Sequence, residues 1–137
     1  MRGWRTVALV AALGLCVLGC GASDGRKPVY SVTGKVTYGG KPAAGATVVF
    51  HPLGADDVRP RGKVADDGSL EVTTYDAKDG APAGDYRLSV EWWLSPGKDA
   101  PPTNRLPASL GNPQTSGLTV KIEKGQSNAL KEIELKR

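Results

Sequence analysis

The stretch VTYGGKPAAGATVVFHP, residues 36 to 52, decides the fold. Inside it, Gly40 to Thr47 carries glycines at nearly the spacing of a phosphate-binding P-loop. Such a loop needs a helix after it, whose first amides hold phosphate, and a lysine directly before its Ser or Thr. Here Ala46 stands in the lysine's place, Pro42 removes an amide donor, and Thr47 to Phe50 is a β-branched and aromatic run suited to a strand. The nucleotide reading therefore fails on three requirements, and the glycines read as punctuation. Gly39 and Gly40 supply the positive φ of a tight turn, Pro42 sits at its exit, and Gly45-Ala46 keeps the start of the next strand small.

Outward from this turn the chain alternates with period two. Tyr30, Val32, Gly34, Val36 and Tyr38 share one face against Ser31, Thr33, Lys35 and Thr37, and Ala46, Val48 and Phe50 oppose Thr47, Val49 and His51. The tight-turn signal Asp66-Asp67-Gly68-Ser69 separates Gly62 to Ala65 from the alternating Leu70, Val72 and Thr74. Tyr86, Leu88, Val90 and Trp92 then oppose Arg87, Ser89, Glu91 and Trp93, and the chain closes through Leu118, Val120 and Ile122 to a last strand with Ile133 and Leu135. About seven short strands without an amphipathic helix predict an all-β fold, a single antiparallel β-sandwich. The segment Leu94 to Gly117, rich in Pro, Asn, Ser and Gly, is the one long interruption, and a loop of that length is expected to be functional, mobile or packed over a sheet.

The N-terminus has its own logic. A basic start with Arg2 and Arg5 precedes an uncharged run from Thr6 to Leu18, which has the length of a secretory core and is too short to span a bilayer. Val17-Leu18-Gly19-Cys20 follows, and it resembles a bacterial lipobox. That resemblance implies cleavage before Cys20 and attachment of acyl chains such as palmitate to its sulfur and new amino group, which together hold a protein on a membrane where one chain alone would not. The expected organisation is a signal peptide over 1–19, a lipidated flexible tether over 20–28 and a β-sandwich over 29–137. The expected location is the cell envelope, with the domain in the periplasm or at the cell surface and the anchor in the cell membrane or outer membrane.

Cleavage would leave 118 residues, enough for one domain, and would take Arg2 and Arg5 with it, so that 16 basic side chains face 14 acidic ones. No block of Lys or Arg points to nucleic acid. Cys16 would leave with the signal and Cys20 would carry lipid, so the domain itself has neither a disulfide nor a thiolate metal ligand.

Read as strands and turns, VTGKVTYGGKPAAGATVVF and ADDGSLEVTTYDAKDGAPAGDYRLSV resemble the carboxypeptidase regulatory-like domains, which group with transthyretin-like and collagen-adhesin B-type sandwiches. The residues that carry the likeness are Val32, Gly34 and Val36; Gly40, Pro42, Gly45 and Ala46; Asp67 and Gly68; and Gly84 and Tyr86. What this resemblance implies is an immunoglobulin-like or prealbumin-like sandwich that serves as a non-catalytic structural or interaction module; for a chain in the envelope the expected partner is an envelope protein or polysaccharide, and no cofactor is expected.

The candidate sites are few. His51 is the only histidine, which excludes a site built from several imidazoles, and alternation makes it a surface residue. Asp66, Asp67 and Glu71 have oxygens for calcium, but Asp-Gly is what the hairpin itself needs, and no metal site is assigned. Lys35, Asn128 and Glu71 fall where an adhesin-type isopeptide bond would form, yet Lys35 lies on the polar face, whereas that chemistry needs a desolvated, neutral amine. Trp92 and Trp93 must point to opposite faces of their strand. If Trp92 enters the core, Trp93 emerges, and it is expected to lie under the proline-rich loop 94–115. Left open, it would stack on a sugar ring with Arg87 and Tyr75 as candidate partners, which is the alternative reading, a carbohydrate-binding module.

Overall fold

The computed structural model describes residues 24–137, and the expected signal peptide over 1–19 and Cys20 lie outside the described residues. In chain order the strands are β1 (Val29–Tyr30), β2 (Val32–Tyr38), β3 (Lys41–Pro42), β4 (Thr47–Pro52), β5 (Arg61–Lys63), β6 (Ser69–Glu71), β7 (Ala81–Pro82), β8 (Gly84–Glu91), β9 (Trp93–Leu94), β10 (Thr103–Asn104), β11 (Thr119–Ile122), β12 (Asn128–Ala129) and β13 (Ile133–Leu135). Among the described residues a single 3-10 turn, Ala108–Gly111, interrupts them. Seven of these strands have three residues or more, and they form the frame of an all-β sandwich.

One sheet runs β11-β8-β4-β5, antiparallel throughout. In the other, β2 is central, with β3 and β6 antiparallel on one flank and β12 and β13 on the other. The opening stretch is the bend that joins the sheets: Gly39 (φ 60°) and Gly40 (φ 77°) turn β2 back onto β3, and Gly45 (φ 88°) releases the chain into β4. Along the β5 and β6 edges the sheets also meet directly. Arg61 and Thr73 exchange backbone hydrogen bonds of 2.9 and 2.8 Å, and a bridge between Val64 and Leu70 continues the contact. Only glycine fits at position 62 in this seam, because a Cβ there would stand 2.5 Å from the Glu71 carbonyl oxygen.

The alternation predicted from sequence is what fills the core. Val32, Val36, Val48, Phe50, Leu70, Val72, Tyr86, Leu88, Val90, Trp92, Ile122, Ile133 and Leu135 are all buried between the sheets. Tyr86 stacks edge-on against Phe50 with centroids 5.9 Å apart, and its hydroxyl donates to the Pro82 carbonyl at 2.8 Å, so the one polar atom of that large side chain is satisfied.

The closing strands depart in detail from an antiparallel expectation: β12 and β13 both pair parallel with β2. The chain crosses between the sheets in a turn held by buried Asn128, whose amide donates to the carbonyls of Glu123 (3.2 Å) and Gln126 (3.0 Å) and whose oxygen takes the Glu123 N–H (2.8 Å). Arriving by a crossover rather than a hairpin is what sets the parallel direction. Between β12 and β13 the register against β2 slips by one residue, and Gly34 leaves the room that Leu130 occupies there, since a Cβ on it would be 3.3 Å from the Leu130 Cβ.

Candidate functional site

The sandwich has two dissimilar ends. At one, the chain enters through Asp24–Pro28 and is stitched down. The Lys27 amide donates to the Tyr75 hydroxyl at 3.1 Å, the Lys27 ammonium pairs with Asp56, and the Arg26 guanidinium lies 5.3 Å from the centre of the Tyr75 ring. The ribbon β1-β7 holds Val29 opposite Pro82, two residues before β8 begins. At the other end β8 runs out into β9. The eight residues of β8 separate the two ends by about 26 Å at roughly 3.3 Å per residue.

Trp93 belongs to the far end. Its side chain is 55% exposed, with Leu94 exposed beside it, and its indole N–H donates to Glu91 Oε2 at 2.9 Å. The expectation that the proline-rich loop would roof it is corrected: the loop covers Trp92 instead. The returning strand β10 pairs beside β9, with Asn104 opposite Trp93, so the hairpin projects past the sheet and leaves the outer face of Trp93 open. Beyond β10 the chain folds inward over Trp92. The Asn104 side-chain oxygen accepts the N–H groups of Trp92 (3.0 Å) and Leu106 (3.1 Å), the Arg105 guanidinium sits 4.6 Å above the Trp92 ring, and Leu106 and Leu110 enter the core.

The three residues considered as a sugar site are not brought together. Arg87 lies six residues before Trp93 along the same strand direction, about 20 Å away. Tyr75 sits at the end where the chain enters, its ring under Arg26 and its hydroxyl engaged by the Lys27 amide. Strand alternation placed Arg87 and Trp93 on one face, and their six-residue spacing in an extended strand already puts them too far apart to grip one sugar ring.

Arg87 has different company. It stands opposite His51 across β8 and β4, donates to the Gln114 side chain, and lines a cleft of about 410 Å³ with His51, Arg59, Asp56 and Asp57. His51 is half-buried rather than fully at the surface, and its Nε2 shares a 2.8 Å hydrogen bond with the hydroxyl of Ser89, a buried residue of the central strand. Burial, with the nearby Arg59 charge, lowers the His51 pKa below its ordinary value of 6.5. A neutral imidazole at that distance from a hydroxyl has the spacing of a nucleophile and its base. However, Ser89 is only 6% exposed, and no carboxylate hydrogen-bonds the ring among the described residues, so the pair ties two strands together.

The remaining candidates fall into structural roles. Asp67 accepts the Ser69 N–H at 2.9 Å across the Gly68 turn, while Glu71 pairs with Lys78 at 2.6 Å. Among the described residues no group of three His, Cys, Asp or Glu side chains is placed to hold a metal ion. Lys35 is exposed and Asn128 is occupied by its own turn. Two organisers escaped sequence reasoning. Asn104 is one, and Asp79 is the other: its carboxylate gathers the N–H groups of Thr74 (2.7 Å), Tyr75 (2.9 Å) and Asp76 (3.0 Å). The available signal was an Asp or Asn a few residues from a turn within a polar run, which such loops share with many unstructured ones.

No family model and no curated protein matches the chain. Among solved structures it is similar to a DUF3823 family protein from Parabacteroides merdae, at 15% identity and a TM-score of 0.41 over 81% of this chain and 46% of that one. It is also similar to a 9R-lipoxygenase from Cyanothece, at 15% identity and a TM-score of 0.42 over 79% of this chain and 16% of that one. The chain thus spans less than half the length of either protein, and neither protein's chemistry transfers to it at that distance.

Proposed function

We propose that this chain is an exported lipoprotein of the cell envelope, held to a membrane through lipid on Cys20, whose carboxypeptidase regulatory-like sandwich acts by binding rather than by catalysis. The observation that carries the reading is the polarity of the domain. The segment that follows Cys20 reaches the sandwich at one end and is stitched to Tyr75 and Asp56, while the exposed Trp93 and Leu94 lie at the other. A module anchored this way offers its aromatic face away from the membrane, where an envelope protein or polysaccharide would meet it. In fractionated cells the intact chain is expected in the membrane pellet and Cys20→Ser in the soluble fraction; a Cys20→Ser variant that stays in the pellet refutes the anchor.

The openness of Trp93 favours a second, more specific reading, as a carbohydrate-binding module. Stacking of a sugar on an exposed indole would contribute about 1 kcal/mol or more. The expected result is retention on insoluble envelope polysaccharide that is lost in Trp93→Ala, and retention that survives the substitution sinks this reading. Arg87 and Tyr75 are not partners in it, because they lie elsewhere on the surface.

A further inference from the structure

We propose that the cleft between the β4 end and Pro113-Gln114 is a binding site for the carboxylate of an acidic sugar. The site stands apart from Trp93, since it lies where β4 ends at Pro52, opposite Tyr86 near the start of β8, at the end where the chain enters and Lys27 pairs with Asp56 of the cleft.

Its volume of about 410 Å³ is within the range of small-molecule sites. Two guanidinium groups face it from different elements, Arg59 from the segment after β4 and Arg87 from β8, and neither is in an ion pair among the described residues. Arg87 is half-buried and held by Gln114, so less side-chain freedom is lost when it grips a ligand. Asp56, one of the two carboxylates at the rim, is already engaged by Lys27, which leaves Asp57 against two arginines. A planar, bidentate carboxylate matches guanidinium forks in geometry as well as charge. Besides these charged groups, His51 and Gln114, the wall is carbon, from Pro52, Leu53, Ala55 and Pro113, and that suits a ring with a carboxylate on its rim and carbon on its face better than it suits a bare inorganic ion.

His51 gives the test a built-in reporter, because it is the only histidine and it lies in the cleft with Arg59, Arg87, Asp56 and Asp57. Arg59 helps to hold its pKa down. An anion seated against Arg59 offsets that field, so the His51 titration midpoint should move upward. The experiment is a ¹H NMR titration of the full chain with glucuronate, glucose or sulfate at about 10 mM, above the ~1 mM scale of weak binding. Glucuronate is expected to raise the His51 midpoint and shift its ring signals, and glucose and sulfate to have little effect. Arg59→Gln, an exposed position, and Arg87→Gln should each weaken the response about tenfold, with unchanged thermal unfolding of Arg59→Gln showing that the fold is intact. No response to glucuronate, an equal response to glucose or to sulfate, or a response that survives both substitutions overturns the proposal.

Discussion

At the scale of single residues, the loop from Thr73 to Gly80 shows how one carboxylate stands in for secondary structure. Burial works against the Asp79 charge, but the amides of Asp76, Thr74 and Tyr75, with its own, outweigh it and hold the carboxyl below its ordinary value of 3.8. A depressed carboxyl stabilises the fold above its unfolded pKa and loses that contribution as pH falls through the folded one, so the loop weakens in acid below about pH 4. Asp79→Ala is expected to lower stability by about 1–3 kcal/mol, read from the denaturation midpoint at neutral pH, with the wild-type advantage shrinking in acid. An unchanged midpoint would contradict the assignment. Next to it, Gly80 has φ 101°, and a Cβ there would stand 1.8 Å from the Tyr30 carbonyl oxygen. Gly80→Ala must move backbone and should destabilise by about 3 kcal/mol or more, which a thermal melt would register. His51 has the same sign of pH dependence for a different reason. Its pKa is lowered, so folding favours the neutral ring; the stability it contributes is present above about pH 6.5 and drains away below it. His51→Gln should flatten stability across that window.

At the scale of elements, legibility divides cleanly. Period-two alternation located β2, β4, β8 and β11, because burying every second side chain between two sheets leaves that pattern in the residues themselves. It also separated Trp92 from Trp93 correctly. Direction and pairing leave no such mark, so nothing in Asn128 to Leu135 announced that β12 and β13 would run parallel with β2. The loop after Leu94 was legible as an interruption and not as a fold, since its order comes from contacts that leave no periodic mark: Asn104 bonds two amides at once, Arg105 lies over Trp92, and Leu106 and Leu110 enter the core. Asn104→Ala should expose the Trp92 and Leu106 amides, with hydrogen exchange there accelerated by about tenfold, equivalent to about 1.4 kcal/mol. Exchange as slow as in the wild type would mean that Leu106 and Leu110 hold the loop without it.

At the scale of the whole molecule, the sandwich is closed along the β5–β6 seam and has opposed ends, one taking the chain in and the other bearing Trp93. The turn at Gly39 to Gly45 is central to that shape, since it carries the chain from one sheet to the other and leaves no phosphate cradle behind. Everything proposed about location turns on the chemistry of Cys20. The most direct measurement is mass spectrometry of the N-terminal peptide of the protein purified from membranes of its host. The account predicts a chain that begins at Cys20, with a diacylglyceryl group on its sulfur and an acyl group on its amine where the host adds one. A chain cleaved elsewhere, or one that carries Cys20 as a free thiol, would contradict it.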